Sequence, residues 1–409
     1  MKPRVLHLLS QRPFLAGSGV TLDALVRYAV KSGWDQHVVV GIPKNTPKPT
    51  VGNLVLDKIS PLVFGNKKLP FNVPGMSDVM PYASTIFSKM TDSQVDVYIN
   101  AWKNHLSKVI SKFTPDVIHS HHIWLMSSII KDVAPKVPIL NQCHATGLRQ
   151  MVFCPHLADR VKRGCACNER FQILFEEHSK KLSEALGVSN DRIHIIPSGY
   201  REDLFYSTNN KNRNPKAILY SGKFSEAKGL PWLLDAFEKL ANKIPDLQLH
   251  IAGTGFGEEA EKIKQRMKVL SPQVILHGQL RQLRLAELMR QCSVFVLPSF
   301  YEGIPLVLVE ALACGCRLVS TELPGVMKKL FHHFESVFEL VPPPRLKGVD
   351  IPVVEDLPAF VENLINAIET SLNKPLLNSE DKNIASKLSQ FTWKKIFQQV
   401  EKFWLELIS

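Results

Sequence analysis

The sequence predicts an α/β protein made of two doubly wound parallel sheets, and three observations predict it. Short apolar, β-branched runs alternate with stretches of helical periodicity, which is the rhythm of βαβ units with parallel strands. At 409 residues the chain is longer than one hydrophobic core usually accommodates. A polar, turn-prone segment near the middle, STNNKNRNPK, has the composition of a boundary. The expected units are therefore residues 1–206 and 207–388, followed by a terminal helix in 389–409.

The first half opens with an apolar strand over 5–9, the loop SQRPFLAGSGV and a helix over about 21–31. Within that loop, Gly17 and Gly19 let backbone approach a ligand closely, although they do not form G-x-G-x-x-G. A second strand follows at 37–41. Residues 43–80 are rich in Pro, Gly, Asn and Lys without periodicity, and are expected to be a long loop or insertion. A helix over 93–112 then leads to a strand at 116–120, a helix over 125–133 and a strand at 137–142. His144 stands at the C-terminal tip of that strand, the side on which α/β sheets build their sites.

His119, His121, His122, Cys154, His156, Cys165 and Cys167 raise the question of a metal. Cys-x-His followed by Cys-x-Cys matches no standard zinc spacing, so ordinary loop residues and no metal are expected. The second half repeats the alternation, with strands over 217–221, 247–253, 274–280 and 294–298 and helices between them. Gly222, Lys223, Lys228 and Gly229 occupy the loop after the first of these strands. Two last helices are expected over 357–372 and 393–408, the latter amphipathic.

The most informative stretch is VFVLPSFYEGIPLVLVEALACG, 294–315. A buried strand ends at Pro298, Pro305 suits the first position of a helix, and Gly315 suits its C-terminal stop. Between 306 and 313 every residue except Glu310 is apolar, so Glu310 is a carboxylate in a helix that should be buried. Unpaired, it would be costly there, and something must satisfy it. Glu302 sits just outside the helix start, where free backbone N–H groups and the helix dipole can hold an anion such as phosphate. This predicts a phosphorylated ligand at the helix start, with Glu310 accepting hydrogen bonds from a vicinal diol and Glu302 serving hydroxyls at the other end.

Glu302, Gly303, Ile304, Pro305 and Glu310, followed by ALACG and Leu323-Pro324-Gly325, resemble the E-x7-E signature of the retaining glycosyltransferases of family 4. The resemblance covers nearly the whole chain and is strongest over 217–325. It implies the GT-B fold, two Rossmann-like domains facing across a cleft, with the final helix returning to the first domain and closure expelling water. It also implies a sugar nucleotide as donor. Lys223, Lys228 and the helix start at Gly303, Ile304, Pro305 and Leu306 would stabilise the departing diphosphate, with Gly222 beside them. Glu310 would hold the ribose hydroxyls, Glu302 the sugar hydroxyls, and Gln279 and Leu280 would lie near the base. Gly17, Gly19 and His144 would face the donor from the first domain. Lys223 departs from the family pattern, in which arginine is usual; a lysine supplies a point charge without the guanidinium fork.

With 45% hydrophobic and 22% charged residues, the composition is that of a soluble globular protein. No apolar stretch reaches membrane-spanning length, the first residues read as a strand rather than a signal peptide, and an odd count of 7 cysteines suits a reducing compartment. A cytoplasmic location is expected. Residues 1–205 carry 25 Lys+Arg and 16 Asp+Glu, a net of +9, and the remaining 25 and 22 leave +3, which completes the total of +12. The first half therefore favours anionic partners, including an acidic membrane surface met peripherally. Nucleic acid is not expected, because the basic residues are not interleaved with aromatics.

The expected activity is transfer of a sugar from a nucleoside-diphosphate donor to a hydroxyl of a glycan, lipid-linked or small-molecule acceptor, as in polysaccharide synthesis. No cofactor or metal is expected. The rival readings are a sugar-nucleotide epimerase on the same scaffold and a non-catalytic nucleotide-sugar-binding subunit, for which Lys223 is the only hint.

Overall fold

The computed structural model describes residues 3–13, 17–77, 80, 82–208, 213–302, 305–348, 350–377 and 381–409. The chain divides into one unit of Met1–Ser198 with Trp393–Ser409 and a second of Gly199–Thr392. In the first unit the elements run β1 Arg4–Leu9, α1 Gly17–Lys31, β2 Asp35–Pro43, β3 Ile59–Phe64, α2 Asp92–Phe113, β4 Val117–His121, β5 Ile139–Cys143, α3 Ala145–Phe153, α4 Pro155–Cys165, β6 Arg170–Ile173, α5 Glu177–Leu186 and β7 Ile193–Ile195. In the second they run β8 Asn214–Ser221, α6 Leu230–Ala241, β9 Gln248–Ala252, α7 Glu258–Val269, β10 Val274–Gly278, α8 Gln282–Gln291, β11 Cys292–Leu297, α9 Leu306–Ala313, β12 Arg317–Thr321, β13 Phe338–Val341, α10 Leu357–Asn373 and α11 Lys382–Ser389. The last helix, α12 Trp393–Ile408, belongs to the first unit.

Both sheets are parallel and share one logic. The first is ordered β3-β2-β1-β4-β5-β6-β7 and the second β10-β9-β8-β11-β12-β13, so each chain path starts in the middle, runs to one edge, and returns to build the other half. That reversal creates a switch point between β1 and β4 and another between β8 and β11, where the loops leaving the strand ends diverge and open a crevice. The central strands are buried on both faces, as a sheet covered by helices on each side requires: β11, CSVFVL, is buried at every position.

α12 closes one face of the first sheet. Trp393, Ile396, Phe397, Val400 and Trp404 are buried together with Val5, Leu25, Tyr28, Ala29, Val117 and Leu140. These are the i, i+3, i+4, i+7 and i+11 positions of one helical face, which is why a sequence with three lysines and two acidic residues still packs tightly. α2 is stopped and started locally: Thr91 and Gln94 form a reciprocal capping box, and Thr114 ends the helix in the left-handed region.

Several expectations change. Residues 59–64 form an edge strand where a loop was expected; Pro61 obscures the pattern, but an edge strand can carry proline because one side of its backbone makes no ladder bonds. His156 and Cys165 lie on α4 and Cys154 is the single residue between α3 and α4, not part of a loop, with Cys154 and Cys165 buried as core. α1 begins at Gly17, earlier than expected. The division between the units falls at 198 rather than 206, because Tyr200 and Phe205 bury in the second unit's core and Tyr200 N–H bonds the Phe391 carbonyl. Of the expected linker, 207–216, residues 209–212 lie outside the described residues, and Asn214 to Lys216 already belong to β8.

Candidate active site

The second unit assembles its candidate site from three turns at the C-terminal ends of β8, β9 and β11. These turns interlock through glycines. Gly229 has φ +68°, and a Cβ there would lie 2.0 Å from the Pro298 carbonyl oxygen; Gly253 has φ +142°, and its Cβ would lie 1.9 Å from the Gly222 oxygen. Only glycine permits both the conformation and the approach. The Gly222 N–H donates to Ala252 O at 3.0 Å and the Phe300 N–H to Ala227 O at 3.0 Å, so the loops after β8, β9 and β11 are stitched by backbone.

Side chains complete the arrangement. The buried Tyr220 donates its hydroxyl to Lys223 O at 2.7 Å, holding the loop start. Burial raises that phenol's pKa, and the nearby charge of Glu302 raises it further. Glu302 Oε1 accepts from Lys228 Nζ at 2.8 Å and from Ser299 Oγ at 2.8 Å, while Lys228 also reaches Tyr301 O at 3.4 Å. Thus two residues expected to act separately, Lys228 on phosphate and Glu302 on sugar, are an ion pair at the switch point. Their side chains remain 26% and 19% exposed, so a ligand can still reach them.

Lys223 is exposed, and its ammonium has no partner among the described residues. It is the free cation beside a paired one. Pro305 is the residue preceding α9, with φ −76° and ψ 89°, so the helix starts at Leu306 and not at the proline. Gly303 and Ile304 lie outside the described residues. Gly315 takes φ +89° just past the helix, in the left-handed conformation a C-terminal stop favours.

Glu310 projects from α9 with its neighbours Val309, Ala311 and Leu312 buried. A small part of its own surface reaches solvent, yet burial pushes its carboxyl up to about 8. Its carboxyl makes no hydrogen bond or ion pair among the described residues. Desolvation thus favours the protonated form of this group over the expected carboxylate when nothing is bound, and the protonated form can donate as well as accept.

Gln279 and Leu280 follow β10, the sheet's edge strand, two strands away from β8 and so about 10 Å from the switch point by strand spacing. Gln279 is exposed, whereas Leu280 packs against the core that holds α9. In the first unit, Gly17 is exposed with open space where a Cβ would be, Gly19 is buried in the first turn of α1, and Gln11 Nε2 donates to Ser18 Oγ between them at 2.8 Å. His144 immediately precedes α3, is buried, and has its pKa lowered to about 4 by desolvation; its Nε2 lies 3.4 Å from His121 Nδ1. As a neutral imidazole it can hydrogen-bond a hydroxyl but cannot supply charge.

Sequence reasoning missed Ser299, Tyr220 and the reciprocal tie of Lys228 to Glu302. Gly229 and Gly253 were visible as turn glycines, but nothing local shows which carbonyl each one meets.

Residues 202–345 match the family model described as glycosyl transferases group 1. Among curated relatives, mannosylfructose-phosphate synthase of Agrobacterium fabrum is 26% identical over 239 residues, 50% of this chain and 53% of that protein. Phosphatidyl-myo-inositol mannosyltransferase of Mycobacterium tuberculosis is 33% identical over 187 residues, covering 44% and 47% respectively. The chain spans about half the length of the curated relatives it matches. Among solved structures, sucrose-phosphate synthase from Thermosynechococcus elongatus superposes with TM-score 0.68 at 17% identity, covering 99% of each chain. The Anabaena protein HepE, solved with UDP and glucose, gives 0.63 at 15% identity, covering 99% of this chain and 100% of that one. These likenesses establish the fold as GT-B, two Rossmann-like units.

Proposed function

We propose that this chain, which carries a glycosyl transferases group 1 region over residues 202–345, is a retaining glycosyltransferase that moves a sugar from a nucleoside diphosphate to an acceptor hydroxyl. The observation that carries the reading is Glu310, a largely buried carboxyl without a partner among the described residues, on the helix that follows the switch-point loop. A ribose diol is the partner that would satisfy it, since two adjacent hydroxyls can both donate to one carboxylate and offset the loss of its proton.

Breaking the glycosidic bond leaves growing negative charge on the diphosphate, and fixed cations lower that barrier. Lys223, exposed at the loop after β8, and the N-terminus of α9 would meet that charge. Lys228 holds Glu302 in place, and Glu302 orients hydroxyls of the transferred sugar. The acceptor hydroxyl attacks from the face the diphosphate leaves, and a phosphate oxygen takes its proton, so no protein nucleophile or catalytic metal is needed. For His144, Gly17 and Gly19 a role toward the donor rests on the family resemblance alone, as does base contact by Gln279 and Leu280.

The donor's nucleotide is proposed to be uridine-like, after the UDP complexes of the structural relative. The acceptor is a glycan, a lipid-linked sugar or a small molecule, met in the cytoplasm and, for a lipid acceptor, at an anionic membrane surface. No helix among the described residues is long and apolar enough to cross a membrane. The test is incubation with a labelled sugar nucleotide, with and without acceptors. Label appearing on an acceptor supports transfer; a changed sugar still on its nucleotide identifies an epimerase; binding without turnover identifies a non-catalytic subunit.

A further inference from the structure

The first unit contains a second constellation that the transfer reaction does not use. His7 on β1 and His119 on β4 are register partners, and His121 follows two residues later, so strand alternation points all three side chains to one face of the sheet. α12 covers that face: Trp404 meets His7 and His119 edge-on, with ring centroids 5.4 and 5.7 Å away. All three imidazoles are fully buried, and one ring nitrogen from each lies within 4.8 Å of the others.

The hydrogen bonds around the cluster sort its nitrogens. His7 Nε2 lies 3.1 Å from Gln36 Oε1, an acceptor, so His7 is protonated on Nε2 and keeps a lone pair on Nδ1. His121 Nδ1 lies 3.4 Å from His144 Nε2; donation from His121 leaves its own lone pair on Nε2. Among the described residues, those two free nitrogens, His7 Nδ1 and His121 Nε2, are buried without a partner, and so are both nitrogens of His119. Polar atoms this deep are rarely left unsatisfied, and here they gather in one place. A histidine with one nitrogen fixed by a hydrogen bond and the other free, as in His7 and His121, has the arrangement of a metal ligand.

We propose that His7, His119 and His121 form a structural site for one transition-metal cation of the zinc class, enclosed between the first sheet and α12. Imidazole suits such ions, whereas no carboxylate belongs to the cluster that would draw magnesium or calcium instead. Tetrahedral bonds of about 2.0–2.1 Å place ligand nitrogens about 3.4 Å apart. The nitrogens must therefore converge by about an ångström, and His119 and His121, whose rings stack at 4.8 Å with planes 5° apart, must turn out of that stack to aim both lone pairs at one ion. The cysteines and His156, where the sequence raised the question of metal, take no part; His7, which the sequence left unmarked, does.

The test uses the full chain, refolded from denaturant in the presence of Co²⁺ or Zn²⁺ because the site is enclosed, then dialysed against a weak chelator. The proposal expects one ion per chain, intense visible bands from Co²⁺ in a low-coordinate imidazole site, displacement of those bands by Zn²⁺, and a higher Tm with Zn²⁺ than without. H119L should lose the bands and the Tm rise, while H156A should keep both. Should H119L fail to fold, the ¹⁵N shifts of His7 and His121 in the unaltered chain decide, since ligation moves Nδ1 of the first and Nε2 of the second. A refolded chain that retains less than a stoichiometric ion, or an H119L chain with unchanged bands, overturns the site.

Discussion

At the scale of single residues, Glu310 and Glu302 are opposite solutions to the same problem of placing an acid near a ligand. Glu302 is neutralised by Lys228 and oriented by Ser299, while burial favours the protonated form of Glu310, its carboxyl pushed up to about 8. The pH consequence of the second follows from proton binding. Between about pH 4.5 and 8 the folded chain keeps a proton on Glu310 that the unfolded chain has released, so this group's contribution to stability is full below the unfolded value and is lost as pH rises through 8. Glu310→Gln should flatten that decline: its Tm relative to the unaltered chain should improve steadily from pH 5 to pH 8.5 in thermal scans, while donor affinity falls. A variant with the same pH slope would remove the assigned environment. Glu302→Ala should cut transfer by about two orders of magnitude or more with Tm little changed, because the fold does not depend on it and only a part-exposed ion pair is lost. Activity close to the unaltered level would overturn its role.

At the scale of elements, the site depends on loops whose spacing is set by backbone contact. Gly229→Ala puts a methyl group 2.0 Å from the Pro298 oxygen and forces an alanine to φ +68°. The left-handed conformation alone costs about 1–2 kcal/mol, and relieving the contact must move the loop carrying Lys228 away from Glu302. The expected result is a lowered denaturant midpoint together with weaker donor binding, measured on the same preparation. The strand-to-helix alternation and the E-x7-E spacing were legible because both are local: a period, a proline, a lone acid among apolar residues. The edge strand at 59–64 was hidden by Pro61, and α3 and α4 were hidden because a cluster of Cys and His residues invites a chemical reading before a helical one. Register was beyond reach altogether. That His7 meets His119 depends on which strands pair across more than a hundred residues, and no local pattern encodes it.

At the scale of the whole molecule, the two sheets repeat one topology on very different surfaces. The first 205 residues carry +9 of the total +12, and the rest carry +3. Long-range attraction to anions is therefore a property of the first half, while the residues proposed to hold the donor's nucleotide and diphosphate sit in the second. A lipid-linked acceptor makes this separable by salt. Association of the full chain with vesicles containing anionic lipid should fall steeply as ionic strength rises from about 0.1 M, where charges act over about 10 Å, to about 1 M, where they act over about 3 Å. Binding of a sugar nucleotide, read as a rise in Tm that grows with the logarithm of its concentration, should weaken far less, because hydrogen bonds to the half-buried Glu310 do not depend on net charge. If vesicle association were absent at low salt while transfer to a water-soluble acceptor proceeded, the excess charge would serve solubility and the membrane acceptor would be excluded.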